Sequence, residues 1–259
     1  MKYLAKAFFF FAFPISTLTS FAQKYDTLTI KPADLRIKDL KKGKSTYIVY
    51  NKKTKESPSE RITLVKINVE SKTYNNKPAV VITQQWDRDT IMHSAYTILN
   101  ANDFSAIEHD YYWKRLGYSV KFDFDAKKIS FDTNTPDSVK SKSIEDFNES
   151  FSKYNLNWHS DLIVFSVLPY KENRVFKINF YDPGFGKAEE NFYEITGTDF
   201  LANSTGEKIE CWVMKLTFTS SVGYQKFWVS KKDTQVLKEE DFFNNSYRYK
   251  LKSEVSEDN

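Results

Sequence analysis

The strongest constraint on the fold is a succession of short runs near the C-terminus in which apolar and polar residues alternate. Residues 205–251 contain four such runs, separated by small or polar residues at 220–221, 231–233 and 244–245. Side chains of a β-strand alternate between its two faces, and clusters of Ser, Asp and Asn mark turns. The pattern predicts an antiparallel meander of four strands.

The first strand of this meander has one large apolar face. Alternate positions place four apolar side chains on that face: Trp212, Met214, Leu216 and Phe218. Cys211 is the first residue on the opposite face of the same predicted strand. An apolar face of this size has to be covered by another element or by a ligand.

Similar alternation recurs through the rest of the chain. It predicts strands at 45–51, 61–70, 79–86, 91–99, 118–124, 128–131, 174–181 and 192–195. Strands, then helices, then strands again predict an α+β fold in which a long antiparallel sheet packs helices on one face.

Helical patterns occur only in the middle of the chain. Ser143 followed by Asp146 is similar to a capping box. Apolar residues then follow at helical spacing: Ile144, Phe147, Phe151 and Tyr154. A second element, residues 161–168, is apolar nearly all round. Because Ser160 precedes it and Pro169 ends it, a buried helix is favoured over a buried strand.

The N-terminal 22 residues have the pattern of a signal peptide. Lys2 and Lys6 precede an apolar stretch at 7–13, and small residues stand at Ser20 and Ala22. No Cys follows for a lipid anchor, and no later stretch reaches the roughly 20 apolar residues of a membrane-spanning helix. We expect cleavage before residue 23 and no transmembrane segment afterwards.

The remaining chain has no linker rich in Pro, Gly or Ser, so the sequence predicts a single domain. We expect a signal peptide at 1–22, a solvated N-terminal arm at 23–44, one domain at 45–252 and an acidic tail at 253–259. Removing Lys2 and Lys6 lowers the net charge from +4 to +2. A near-neutral chain has no long-range field that would attract nucleic acid.

Cys211 is the single cysteine of the chain, so an internal disulfide cannot form. A mid-strand position without an adjacent His favours a buried, unpaired thiol over a reactive thiol or an intermolecular bridge.

Catalytic and metal-binding motifs are missing from the sequence. His93, His109 and His159 lack the spacing of metal ligands, and Gly-x-Ser-x-Gly, P-loop and dinucleotide motifs do not occur. His109 and Asp110 are adjacent in sequence, and adjacent residues of a strand point to opposite faces, so we expect that the two side chains do not meet. We therefore expect no enzymatic activity and no cofactor.

The aromatic content, 17% of the chain, is the remaining signal. Residues such as Phe227 and Trp228 belong either to a core packed against the helices or to the lining of a cavity. Both alternatives stay open from the sequence. If a cavity exists, the candidates to line it are Leu162, Phe165, Leu168, Trp212, Met214, Leu216, Phe218, Phe227 and Trp228.

Several short motifs resemble an uncharacterised family of bacterial exported proteins. They lie at 157–169, 176–181, 193–197, 206–212 and 226–231, and the resemblance covers about residues 44–251. In that family a buried helix ends in Leu-Pro, as at Leu168 and Pro169, and an aromatic-Trp strand closes on Ser-Lys.

The resemblance implies a relation to the lipoprotein-carrier (Lol-type) fold. That fold is a large, strongly curved antiparallel sheet, an incomplete β-barrel, packed around one or two short helices with an apolar cavity between. It implies a non-enzymatic binder or carrier of a lipid or acyl chain in the cell envelope. The end of the signal peptide, at Ala22 and Gln23, is similar to those of Gram-negative bacteria and implies the periplasm or the periplasmic face of the outer membrane. The alternative is a structural or interaction module with a self-filled core, whose partner would be an envelope protein.

The signal-peptide prediction can be tested by mass. Intact-mass measurement of protein from the native envelope should show a chain lacking residues 1–22, because signal peptidase reads the small residues at Ser20 and Ala22. A mature chain that retains Met1 would contradict the prediction.

Overall fold

The computed structural model describes residues 25–218 and 222–255, which form one 15-stranded sheet with two short α-helices. The N-terminal strands are β1 (Asp26–Thr29), β2 (Gly43–Lys52), β3 (Glu60–Tyr74), β4 (Lys77–Asp87), β5 (Ile91–Asn100), β6 (Ala106–Trp113), β7 (Tyr118–Asp123) and β8 (Lys128–Phe131). The remaining strands are β9 (Leu156–Asn157), β10 (Arg174–Tyr181), β11 (Glu189–Ala202), β12 (Lys208–Thr217), β13 (Gly223–Ser230), β14 (Val236–Phe243) and β15 (Ser246–Lys252). The helices are α1 (Asp137–Ser150) and α2 (Asp161–Phe165), with single 3-10 turns at Pro32–Asp34, Ile37–Asp39 and Trp158–Ser160.

The strand order is β1-β10-β11-β12-β13-β14-β15-β2-β3-β4-β5-β6-β7-β8, with β9 beside β10. The predicted meander is confirmed as β12 to β15, all antiparallel. Its predicted break at 220–221 lies outside the described residues. The sheet is mixed rather than wholly antiparallel, because β1 and β9 both run parallel to β10.

The sheet is strongly curved and does not close into a barrel. Phe124 follows β7 and Tyr181 ends β10, and these strands stand near opposite ends of the strand order. Their ring centroids nevertheless lie 6.2 Å apart. The predicted architecture, a large curved sheet packed around short helices, is confirmed.

The main core lies where α2 enters the concave face of the sheet. Val164 and Phe165 are fully buried. The Phe165 ring makes edge contacts with Tyr193 and Phe227, with ring centroids 5.0 and 4.8 Å apart. Edge-to-face aromatic pairs add about 0.5–1.5 kcal/mol each beyond the area they bury. The predicted buried helix is therefore present, although its α-helical part ends at Phe165 and turns continue to Leu168.

The other helix begins earlier than predicted. Pro136 occupies the N-cap of α1 and has the extended backbone that is typical of this position, with φ −62° and ψ 144°. Ser143 consequently lies inside the helix and is buried, so the predicted capping box is wrong. Phe147 is buried as the spacing predicted, whereas Ile144 is 47% exposed and Tyr154 lies beyond the helix.

The predicted solvated arm at 23–44 is also wrong for its described part. β1 adds a strand to the edge of β10, and Ile30, Leu35 and Leu40 are buried in the main core. Burial of these spaced apolar side chains stabilises the segment against the sheet. Residues 1–22, the predicted signal peptide, lie outside the described residues. Of the predicted tail, Val255 is buried and bridges Asn203, and residues 256–259 lie outside the described residues.

A second cluster covers part of the convex face and contains Cys211. The thiol is free and fully buried, as predicted. Val213, Trp228 and Leu237 belong to the same cluster.

Burial should make this thiol unreactive in the folded protein. It raises the pKa of Cys211 to about 12, with a smaller contribution from Asp199, so the thiolate is scarce at neutral pH. Labelling with a thiol reagent should be slow in buffer and fast in denaturant, and Cys211→Ala should destabilise the fold by about 1 kcal/mol. Fast labelling of the native protein, or a dimer that is lost on reduction, would contradict a buried unpaired thiol.

Candidate functional site

Eight of the nine predicted cavity-lining residues come together at the main core. Six are buried in its cluster: Leu162, Phe165, Leu168, Met214, Leu216 and Phe227. Trp212 and Phe218 pack against its margin, half-buried. The period-2 pattern of β12 and the apolar character of α2 therefore identified one contiguous surface.

Trp228 is the exception. Adjacent residues on a strand face opposite ways, so Trp228 points away from Phe227 and into the convex-face cluster. Its indole Nε1 donates to Asp199 Oδ2 at 2.9 Å, and the Lys226 Nζ lies 4.2 Å from the centroid of its ring. Grouping Trp228 with the cavity candidates was wrong.

The cluster around α2 is filled by its own side chains. Phe165 and Met214 are fully buried, and Phe227 is 1% exposed. The hydroxyl of Tyr170 contacts the Met214 sulfur at 4.0 Å. Packing of this density leaves the space over β12 occupied by the protein itself.

A cavity of about 650 Å³ borders this cluster on the same concave face. Of the nine predicted residues, only Leu162 lines it. Its apolar wall consists of Val49, Ile67, Trp86, Met92, Trp113, Trp158, Leu162 and Phe185. No pattern in the sequence predicts this site, because its wall is assembled from single residues on separate strands and loops.

Two β-bulges shape the rim of the cavity. In the β2–β3 pair, Arg61 and Ile62 stand opposite the single residue Tyr50, and Arg61 has a left-handed φ of 56°. In the β4–β5 pair, Met92 is the extra residue between paired positions. A bulge breaks the strict alternation of a strand and re-aims side chains. Both Arg61 and Met92 line the cavity.

A buried network of charged groups borders another part of the cavity. Glu239 accepts from the Lys250 ammonium and from Arg248 Nη2, the latter at 3.2 Å. Asp241 accepts from Arg248 Nε at 2.7 Å. Burial alone would raise the pKa of Glu239, but Lys250 and Arg248 together lower it. The network ties β14 to β15, and breaking a buried pair of this kind leaves an uncompensated charge.

Asp241 of this network and the nearby Asp161 are both held closer to neutral than Glu239. Burial raises the pKa of Asp161, at the start of α2, to about 6. Burial and the neighbouring Glu239 raise the pKa of Asp241 to about 7. This part of the cavity therefore carries little net negative charge near neutral pH.

All three histidines of the chain meet beside the cavity, which the sequence did not predict. The ring centroid of His159 lies 5.6 Å from that of His93 and 4.5 Å from that of His109. His159 Nε2 lies 3.1 Å from Asp182 Oδ1, and His109 Nδ1 shares a 2.9 Å hydrogen bond with the Thr97 hydroxyl. The spacing of the histidines in the sequence does not predict that they meet. They are brought together by the register of β5 and β6 and by the turn at Trp158–Ser160.

Two of these imidazoles are held neutral. Burial, with a contribution from His159, lowers the pKa of His93 to about 4 and that of His109 well below its usual value. Across residues 25–218 and 222–255, no group of three His, Cys, Asp or Glu side chains is arranged to hold a metal ion.

The family of the chain is shown by a match over residues 46–252, to a family described as protein of unknown function (DUF3108). The chain belongs to this family. The DUF3108 match begins in β2 and ends with β15, and it contains every residue that lines the cavity. No curated protein matches the chain.

Two solved structures are similar to the DUF3108 chain at low identity. One is from Bacteroides fragilis and is described as an exported protein with a YMCC-like fold; it has 12% identity and a TM-score of 0.36, with 84% of this chain and 97% of that chain covered. The other is a DUF1329 family protein from Desulfovibrio piger, with 11% identity, a TM-score of 0.29, and coverage of 85% and 87%. Superpositions this weak say nothing about function. In the described part of the chain, no helix is long and apolar enough to span a membrane.

The neutral state of His93 can be tested through the pH dependence of stability. A His whose pKa is lower in the folded chain favours folding above its unfolded pKa of 6.5 and loses that contribution as the pH falls. At pH 5 the loss from His93 should be about 2 kcal/mol relative to pH 8. His93→Phe keeps an aromatic ring but cannot titrate, so its free energy of unfolding should fall less between pH 8 and 5. Equal pH slopes for both proteins would contradict a buried neutral His93.

Proposed function

We propose that this DUF3108 protein is an exported, non-enzymatic binder or carrier of a hydrophobic ligand, a lipid or an acyl chain, in the cell envelope. The observation that carries the proposal is the aromatic-walled cavity of about 650 Å³ between α2 and the concave face. Ligand sites in proteins are concave and roughly 300–1,000 Å³ in volume, and they combine apolar walls with polar groups that fix the orientation of the ligand. We therefore place the binding site in this cavity, and not over the apolar face of β12 where the sequence predicts it.

Other observations support parts of this proposal. The N-terminal pattern of basic, apolar and small residues favours export, and with it a periplasmic or outer-membrane location. The resemblance to the lipoprotein-carrier fold favours an acyl-chain ligand. A non-enzymatic role is favoured because the sequence contains none of the catalytic motifs of hydrolases, nucleotide-binding enzymes or metalloenzymes.

A structural or interaction module is the second candidate. The filled cluster of Phe165, Met214 and Phe227 favours it, since a core that is complete by itself needs no ligand. The two functions differ in whether the neighbouring cavity takes up an apolar molecule.

Uptake can be measured with the neutral fluorophore N-phenyl-1-naphthylamine. Binding should raise its fluorescence, because transfer of an apolar molecule into an aromatic-walled site removes its surface from water. Met92→Trp adds an indole at the half-buried bulge and should weaken binding by about tenfold or more, while the melting temperature changes little.

Ile144→Trp is the matched control. Ile144 is 47% exposed on α1 and does not line the cavity, so the same enlargement there should leave binding unchanged. Absence of fluorophore binding by the wild-type protein would leave the structural module as the better function. Equal weakening by both Trp variants would place the binding site elsewhere.

A further inference from the structure

The arginines of the chain are concentrated at the cavity. Arg accounts for six of the 38 Lys and Arg residues. Four of the six line this cavity: Arg61, Arg88, Arg115 and Arg248. Among the lysines of the described chain, Lys250 alone lines it. A surface populated at random from this composition would show mostly lysine.

The two cations inside the cavity already have partners. Glu239 forms ion pairs with both Arg248 and Lys250, and Arg248 also donates to Asp241. They hold strands together and leave little charge for a ligand.

The three arginines at the rim differ in this respect. All three side chains belong to exposed residues. Arg88 Nη2 donates to the Thr63 hydroxyl at 3.2 Å, and the Arg115 guanidinium lies 4.4 Å from the centroid of the Trp113 ring. Within the described ranges, none of the three forms an ion pair with a carboxylate, so most of their N–H donors remain available.

Arginine at these positions has a chemical consequence. A guanidinium presents a planar fork of donors that pairs with two oxygens of a carboxylate or phosphate at once, whereas an ammonium acts as a point charge. Stacking on Trp113 limits the rotation of Arg115 and lowers the entropy lost on binding. Thr63 restricts Arg88 in the same way through a hydrogen bond.

The cationic rim adjoins the apolar wall. Trp113 belongs to both, since it stacks under Arg115 and lines the cavity beside Phe185, with ring centroids 5.3 Å apart. The bulges at Arg61 and Met92 likewise place a cation and an apolar side chain on the same rim.

We propose that the cavity selects anionic amphiphiles. These are molecules with one apolar chain, held against the aromatic wall, and a carboxylate or phosphate head, held by Arg61, Arg88 and Arg115. This inference rests on the proposed binding function and specifies its ligand class.

Displacement of N-phenyl-1-naphthylamine provides the test. Dodecanoate, dodecyl phosphate and 1-dodecanol share one chain length and differ in the head, while acetate and inorganic phosphate supply the head without the chain. The two anionic amphiphiles should displace the fluorophore at concentrations roughly 10- to 100-fold below that of dodecanol, the factor expected for a few charge-assisted hydrogen bonds. Acetate and inorganic phosphate should not displace it.

Variants assign the preference to the rim. In the double variant Arg88→Gln and Arg115→Gln, the ratio between the displacing concentrations of dodecanol and dodecanoate, measured within the variant itself, should fall, and most of the preference for the anionic head should be lost. The double variant Arg88→Lys and Arg115→Lys keeps both positive charges. It should retain only part of the preference for the anionic head, because the planar fork of donors is lost. Arg36→Gln, at an exposed Arg away from the cavity, is the matched control and should change nothing.

The outcomes separate this inference from the function it rests on. If the fluorophore binds and dodecanol competes as well as dodecanoate, the anionic-head inference is overturned and the hydrophobic binder stands. If the double Gln variant keeps the full preference, the head is held elsewhere and the assignment to these arginines is overturned. If wild-type protein binds neither fluorophore nor amphiphile, the proposed function itself fails. Displacement by inorganic phosphate alone would indicate a small-anion site and would also overturn the inference.

Discussion

The pairing of β15 with β2 is the interaction on which the rest of the structure depends. It joins strands β2–β8 to strands β10–β15, so that the two sets share one sheet and one concave face. Tyr249 stacks on Tyr50 across this pair, with ring centroids 5.3 Å apart. On the other face, Lys250 and Arg248 of β15 hold the carboxylates of β14. Without this pair, the two walls of the cavity would belong to separate sheets.

Local periodicity was enough to predict much of the fold. Most strands, the meander at the C-terminus and the buried helix after Ser160 follow from side-chain alternation and turn residues, which are properties of neighbours in sequence. The burial of Cys211 followed from the same reasoning. The apolar face of Met214 and Leu216 was also predicted correctly, because that face is a period-2 pattern within one strand.

The candidate site could not be predicted, since its residues are brought together by register. Arg61 and Met92 reach the rim through bulges, which shift alternation by one residue and leave no reliable mark in the sequence. His93, His109 and His159 meet because β5 pairs with β6 and a 3-10 turn approaches both. The N-terminal segment was misassigned for a related reason: the pairing of Asp26 with Arg174 is a contact between distant parts of the chain. Trp228 is the opposite case. Strict alternation along β13 places it on the other face from Phe227, so the two residues should not have been assigned to the same cavity.

The parallel pairing of β1 with β10 also sets a condition on how the protein folds. β1 is made first, but its partner begins at Arg174, so about 145 residues must follow before the pair can form. At usual rates of synthesis this takes roughly 7–30 s. During that time Ile30, Leu35 and Leu40 have no complete core to enter. Contacts of such long sequence separation slow folding and prolong the exposure of apolar segments to aggregation. A chain with this topology therefore benefits from being kept unfolded until nearly all of it is available.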